Sequence, residues 1–454
     1  MRLSIGGLVV LGLIVETAGC SSSSGAPAPI ADAGSDAADV AVIVDSSPEA
    51  DVQEAAASYP APHAAPPQVI NAGGPVLTAP KLVTVTFASD PLGSSLNEFA
   101  MKLGAAKAYW SGATAEYGVG PIASVVSYVA TDSLPVMLDD TDIQAWLQAK
   151  LEGVALDGGA GGDAASDGGG GGPPLPANDA NTVYMIYYPP STTVTFQGSA
   201  SCQQFDGYHS DFQLPDGSFV TYGVVAECPP MGPGLPEIDA VSATASHEYI
   251  EAATDPLPQD KPAWSTVDAD HIAWQYVGGG GEIGDMCAAY PTAFYTPTDL
   301  PYLVQRVWSN KEAAASHDPC EPDGAEPYFN AVPVLNDTLT IENPMESPFT
   351  TKGVKIPVGK TATVELDLFS DGPTSAPIEV SALDIASGFF GMPQELSFTF
   401  DKTKGVNGDK IHMTIKVLAA GTGNVEPFWI QTQIGPSSGS MSQPTSIWVG
   451  LVGD

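Results

Sequence analysis

Residues 243–256 read ATASHEYIEAATDP. His247 and Glu251 stand four apart, so on a helix they project from one face about one turn apart. An imidazole nitrogen and a carboxylate oxygen are both ordinary zinc ligands. Glu248 lies beside them around the helix, where it can take a proton as a metal-bound water attacks a carbonyl. The helix is expected to stop at Thr254-Asp255-Pro256, because the residue before a proline disfavours helix. Downstream, GGGGEIGDMCAAY (278–290) sets Glu282 and Asp285 beside a glycine run that lets backbone approach closely. A catalytic zinc has three protein ligands and one open position. One of Glu282 and Asp285 is expected to be the third ligand, and the other to orient an imidazole from outside. Trp264, His271 and Trp274, between helix and loop, are expected to line a cleft. The competing reading is a core histidine on a helix with solvated acids, followed by a glycine-rich turn.

The chain that carries these residues has 454 residues and a formal net charge of -38. That charge makes nucleic acid and anionic membrane surfaces poor partners. Met1-Arg2 precedes an apolar run, LSIGGLVVLGLIV (3–15), shorter than the roughly 20 residues of a membrane-spanning helix. Thr17-Ala18-Gly19-Cys20 then resembles a bacterial lipobox, which makes Cys20 the expected lipidation site. Thr17 departs from the usual leucine. An exported, membrane-anchored lipoprotein, otherwise a secreted protein, is the expected location. Without Cys20 four cysteines remain, and Cys202–Cys228 and Cys287–Cys320 are the expected disulfides because each pair closes a short segment.

Residues 21–78 are taken as an Ala/Pro/Asp-rich tether with too few large apolar residues to offset ordering entropy. Residues 79–325 alternate strand and helix patterns: strands at 80–89, 121–130, 181–189 and 218–229, and helices at 96–110 and 139–154. This reads as an α+β domain, with 157–179 a Gly-rich surface insertion. From 330 to 454, seven or eight short alternating segments divided by Gly, Pro, Asn and Asp predict an all-β immunoglobulin-like sandwich. His63 in the tether and His412 in the sandwich belong to no expected site, and His317 is expected to be structural beside Cys320.

The stretch 80–320 resembles the Exordium-like (phosphate-induced protein) family of plants and bacteria. The likeness rests on SHEYIEAATDP, GEIGDMC, CQQFDGYH, AECP and YLVQRVWSN, in matching order. The resemblance implies a zincin-like metallopeptidase-type domain with glutamate in place of the second histidine. His247 and Glu251 would then be ligands, Glu248 the base, and Glu282 or Asp285 would complete the site. His209, in DGYH, matches a family histidine that could stabilise an oxyanion or contact the metal. Plant members carry asparagine at the position of Asp255, which implies that Asp255 is not an essential ligand. They are described as growth-related cell-wall proteins, so the likeness does not itself imply proteolysis.

Two functions follow as expectations. The first is a secreted or surface-tethered zinc metallopeptidase that acts on a protein or peptide. The second is a non-catalytic cell-surface binding or adhesion protein with a structural metal. A closed coordination sphere favours the second, and an open position facing a cleft favours the first. Zinc is the expected metal, ahead of calcium or manganese, although a carboxylate-rich set weakens its Lewis acidity. No G-x-S-x-G elbow is present to support a serine hydrolase.

Overall fold

The structure is a computed structural model that describes residues 58–153, 175–230, 234–275, 280–290, 292–341, 348–420, 425–435 and 445–453. Cys20, the leader and most of the 157–179 insertion lie outside the described residues. The first part runs β1 (Val69–Asn71), β2 (Lys81–Phe87), α1 (Gly93–Ala105), α2 (Lys107–Thr114), β3 (Ser124–Ala130), β4 (Met137–Asp139) and α3 (Asp140–Glu152). It continues with β5 (Thr182–Tyr188), β6 (Thr193–Phe196), β7 (Ser199–Ala200), β8 (Gly207–Gln213), β9 (Phe219–Ala226), α4 (Glu237–Thr254) and β10 (Trp264–Val267). The short elements α5 (Asp285–Ala288), β11 (Phe294–Tyr295), β12 (Val304–Gln305) and α6 (Asn310–Ala314) close it.

One five-stranded sheet, in the order β3-β2-β5-β9-β8, organises this part. Its first four strands are parallel, and β8 lies antiparallel to β9 at the edge. The central strand β5, TVYMIYY, is buried at every position, as a parallel strand covered on both faces must be. Strand alternation assigns the covers. Leu82, Val183, Met185 and Val225 share a core with Leu96 and Phe99 of α1 and Tyr249 of α4. Val83, Val85, Tyr184 and Ile186 instead pack with Ile143 and Leu147 of α3. The expected helix 96–110 is broken at Ala106 (φ -80°, ψ 72°). There the Asp299 carboxylate accepts from the Ala108 and Tyr109 amides and starts α2 afresh.

The tether is shorter than the sequence suggests. Val69–Asn71 pairs with β10, and Val69 and Leu77 are buried. His63 stacks on Phe369 with ring centroids 3.7 Å apart, and its Nε2 meets Ser316 Oγ at 3.0 Å. Composition hid this order because two or three well-placed apolar side chains suffice to seat an Ala/Pro-rich strand on an existing surface.

From Phe329 the described residues form strands and their connections, with one short helix among them. They comprise β13 (Phe329–Pro333), β14 (Asp337–Ile341), β15 (Phe349–Lys355), β16 (Thr361–Ser370), β17 (Ile378–Asp384), α7 (Ile385–Phe390) and β18 (Leu396–Phe400). Then follow β19 (Lys404–Gly405), β20 (Lys410–Val417), β21 (Val425–Ile434) and β22 (Thr445–Gly453). They form a four-stranded sheet, β13-β16-β20-β18, and a six-stranded sheet, β14-β15-β22-β21-β17-β19. Strand β13 packs across onto β21 and β22, and the apolar core runs on into the first part of the chain. Trp274 is part of that junction. Its ring lies 5.5 Å from Trp308 and 6.0 Å from Trp448 of β22, and His271 also meets Trp448. Trp264 stacks edge-on against Tyr117. All three were expected to line a cleft; Trp274 is instead buried in packing between elements, while Trp264 and His271 are half-buried.

Both expected disulfides are present, Cys202–Cys228 and Cys287–Cys320. Among the described residues no helix is long and apolar enough to cross a membrane.

Candidate metal centre

Helix α4 is buried on all sides from Val241 to Thr254. Its small residues, Ala243, Ala245, Ser246, Ala252 and Ala253, let the sheet and β12 approach closely. Glu237 and Asp239 in the first turn suit the positive end of the helix dipole. The helix ends at Asp255 as expected, and the Asp255 Oδ1 accepts from the Ala263 amide at 2.7 Å.

Seven acidic or imidazole side chains converge at this helix. His247, Glu248 and Glu251 come from α4, Asp255 from its end, His209 from β8, and Glu282 and Asp285 from the glycine loop and α5. Every one of them is at most 3% exposed. His209 reaches the helix because strand alternation turns Tyr208 to the opposite face, where its hydroxyl donates to Asp140. The Cys287–Cys320 bridge follows Asp285 directly and anchors the loop.

Three overlapping donor groups are formed: His247/Glu251/Asp285, His209/Glu248/Glu251 and His209/Asp255/Glu282. Within each group the ligand atoms lie within 4.8 Å of one another. His247 Nε2 is 2.9 Å from Glu251 Oε2 and 3.8 Å from Asp285 Oδ1. His209 Nδ1 is 3.6 Å from Glu248 Oε2 and 3.8 Å from Glu251 Oε2, and its Nε2 is 3.5 Å from Glu282 Oε1. Donors around a four-coordinate zinc with bonds of about 2.1 Å stand roughly 3.4 Å apart, so the spacings within a group suit an ion.

Outer partners fix which imidazole nitrogens face inward. Gln305 donates Nε2–H to the Gly284 carbonyl at 2.7 Å, which leaves its Oε1 to accept from His247 Nδ1 at 3.1 Å. On the far side, His209 Nε2 donates to the Asp255 carbonyl at 3.1 Å. His247 Nε2 and His209 Nδ1, left without protons, therefore both stand close to the Glu251 carboxylate. Two acceptors facing a third is repulsive unless a proton or a cation lies between them. The atoms His247 Nε2, His209 Nδ1, Glu251 Oε2, Asp285 Oδ1 and both oxygens of Glu248 and Glu282 have no hydrogen-bond partner. The 2.9 Å contact between His247 and Glu251 is close but not aligned as a hydrogen bond. None of the lysine or arginine ion pairs among the described residues reaches the five carboxylates. Buried charge of one sign without a partner is costly, and a divalent cation removes that cost.

Proton affinities follow the same logic in the metal-free protein. Burial alone would lower His247, but Glu251, Glu248 and Asp285 outweigh it and push it up to about 10. His209 is likewise raised, against burial, by Glu248, Glu251 and Asp255. Burial, then Glu251, holds Glu282 and Asp285 well above the carboxylate range. Burial also raises Glu248 and Asp255. Glu251 alone is lowered: burial opposes this, but His247 and His209 outweigh it. Its Oε1 also accepts from the Gly284 and Asp285 amides, at 3.1 and 3.2 Å.

Helical spacing placed His247 and Glu251 as expected, and Asp285 rather than Glu282 shares their group. Asp255, which the family resemblance had set aside, lies within the cluster beside His209 and Glu282. Its role could not be read from sequence because it depends on the turn after α4 facing β8. Gln305 was missed as well, and no local motif marks it. Replacing Gln305 with leucine should weaken metal binding about 10- to 100-fold while leaving the fold intact, as loss of an outer partner to a ligating histidine does. Metal titration calorimetry on the variant checks this.

No protein-family model matches the chain. No curated protein matches it either. Among solved structures, the crystal structure of domains 4 and 5 of the S-layer protein SbsC is 14% identical, covering 29% of this chain and 77% of that one, with a TM-score of 0.15. A structure of SbsC domains 1–6 is 12% identical, covering 57% of this chain and 37% of that one, also with a TM-score of 0.15. At that TM-score the likeness carries no inference about fold or function.

Proposed function

We propose that this chain is an exported metalloprotein whose first domain is cross-linked by a buried divalent cation, zinc foremost, and that it acts as a non-catalytic protein of the cell surface. The observation that carries the reading is a buried donor set without partners, in which the His247/Glu251/Asp285 and His209/Glu248/Glu251 groups share the Glu251 carboxylate. His247 Nε2, Glu251 and Asp285 would be donors, and His209 Nδ1, 3.8 Å from Glu251 Oε2, would move in as the fourth. Four protein donors close a tetrahedral ion, which is the pattern of a structural rather than a catalytic site. The ion would tie the edge strand β8, the helix α4 and the disulfide-anchored loop together. Two disulfides fit an oxidising location. Calcium and manganese stand behind zinc because two imidazoles enter the set.

A peptidase is the second reading, and one observation favours it. Glu248 sits beside the donors with both oxygens unpartnered, where a general base for water attack would stand. The layout also suits a zincin-like domain of the Exordium-like type: a mostly parallel sheet, an antiparallel edge strand, and the His-Glu helix packed against it. In this case His209 would leave the metal, open the fourth position, and steady the oxyanion.

One experiment separates the two. Metal content is measured on wild type, Glu248→Gln and Glu251→Ala, beside cleavage of a peptide library. The structural reading expects about one zinc per chain in wild type and Glu248→Gln, loss in Glu251→Ala, and no cleavage by any of them. Cleavage that Glu248→Gln lowers by at least ~10²-fold with its zinc retained would establish the peptidase instead. Wild type folded without stoichiometric metal would sink both.

A further inference from the structure

The motif AECP (226–229) has no part in the α4 centre. Its glutamate, Glu227, directly follows β9 and is 1% exposed. Its amide donates to the Tyr188 carbonyl at 2.9 Å, while no N–H or hydroxyl reaches either of its carboxylate oxygens. Strands β2 and β9 both run parallel to β5, so their C-terminal ends lie at one edge of the sheet. Asp90 follows β2 at that edge, and its carboxyl stands within hydrogen-bonding reach of Glu227. Its Oδ1 accepts from the Leu92 amide at 2.7 Å, and its Oδ2 is buried and unpartnered. From α1, Asn97 donates Nδ2–H to Thr86 Oγ1 at 3.4 Å and leaves its Oδ1 buried and unpartnered. Gly93 makes room for the group: a Cβ there would lie 3.3 Å from Asp90 Oδ2 and 3.4 Å from Thr86 Oγ1.

Glu227, Asp90 and Asn97 thus each keep a buried oxygen that no donor meets. One proton shared between Glu227 and Asp90 would satisfy a single contact and leave Asn97 Oδ1 and the remaining Glu227 oxygen unmet. Burial, then Asp90, pushes the Glu227 carboxyl up to about 8, which reflects the cost of a second negative charge here without a counter-ion.

We infer that Glu227, Asp90 and Asn97 form a second cation site, independent of the α4 centre, which takes a hard divalent ion, calcium, through oxygen donors alone. Oxygen-only donors suit calcium, whereas zinc favours nitrogen or sulfur. Asp90 and Asn97 are half-buried, so the ion can enter from solvent and keep water ligands. Two carboxylates and one amide place the site in the weak class of extracellular modules, with Kd about 10⁻⁴–10⁻³ M.

The test uses the whole chelator-treated protein, melted across a calcium titration as wild type, Glu251→Gln, Glu227→Gln and Asn97→Ala. Calcium should raise Tm in wild type and Glu251→Gln with half-saturation near ~1 mM. Glu227→Gln should not respond, and Asn97→Ala should need roughly tenfold more calcium. No calcium response in wild type overturns the inference. So does an undiminished response in Glu227→Gln, including one that Glu251→Gln abolishes, which would put the calcium at the α4 centre. Should Glu227→Gln fail to fold, terbium soaked into wild-type crystals decides. An anomalous peak between Asp90 and Glu227 supports the site, and its absence there overturns it.

Discussion

Chelating the proposed ion should lower the melting temperature by about 8–16 °C and reverse the way stability depends on pH. The first figure follows from linkage: an ion present at ~1,000 times its Kd contributes about 4 kcal/mol, and a domain of this size loses roughly 2–4 °C per kcal/mol. The reversal follows from the protons that take the place of the ion. His247 has a folded value raised from 6.5 to about 10 in the metal-free protein. The stability it contributes is fully present below about 6.5 and is lost as pH rises through about 10. Glu282 and Asp285 are also raised, so they too make the folded metal-free state hold more protons than the unfolded one. Glu251 works the other way, because its lowered value makes its contribution present above 4.5 and lost in acid. Metal binding expels the proton from His247, so rising pH strengthens the metal-bound form. Melts from pH 6 to 9, with excess zinc and with chelator, should therefore diverge as pH increases. Parallel curves would mean that no ion sits among these donors.

Gly284→Ala should weaken metal binding at least ~100-fold although it alters no donor. A methyl group there would lie 2.7 Å from Glu251 Oε1, 2.7 Å from His247 Cε1 and 2.7 Å from His247 Nδ1. The backbone at Gly284 has φ -72°, which alanine adopts freely, so the effect is steric and not conformational. Gly284 also donates its amide to Glu251 and accepts from Gln305 through its carbonyl, so the loop cannot retreat without loosening both partners. Overpacking of this kind costs about 1–3 kcal/mol in stability and moves side chains by fractions of an ångström. Metal affinity should fall at least ~100-fold, since ligand distances tolerate only about 0.2 Å. Zinc titration calorimetry with a parallel melt measures both effects. A variant that binds zinc as wild type does would show that the loop does not seat against the helix as described.

Much of the fold was legible from the chain. The central strand could be recognised from TVYMIYY, and the strands after residue 330 from their alternation, because burial patterns there are periodic and local. The break at Ala106 was not legible, since it depends on Asp299, nearly 200 residues away. The order of residues 58–78 was hidden by composition and is decided by β10 and Phe369.

The same division runs through the metal centre. The sequence by itself determined that His247 and Glu251 share a helix face with Glu248 beside them, and that the helix stops before Pro256. Those are matters of covalent geometry and helical period. Only the tertiary structure decided that His209 of β8 meets them, that Asp285 and not Glu282 joins His247, and that Gln305 and the Asp255 carbonyl set the two tautomers. It also decided that the whole set is shut away from water. Such choices arise from how a strand, a helix and a loop pack, and no spacing along the chain encodes the distance between elements brought together by burial.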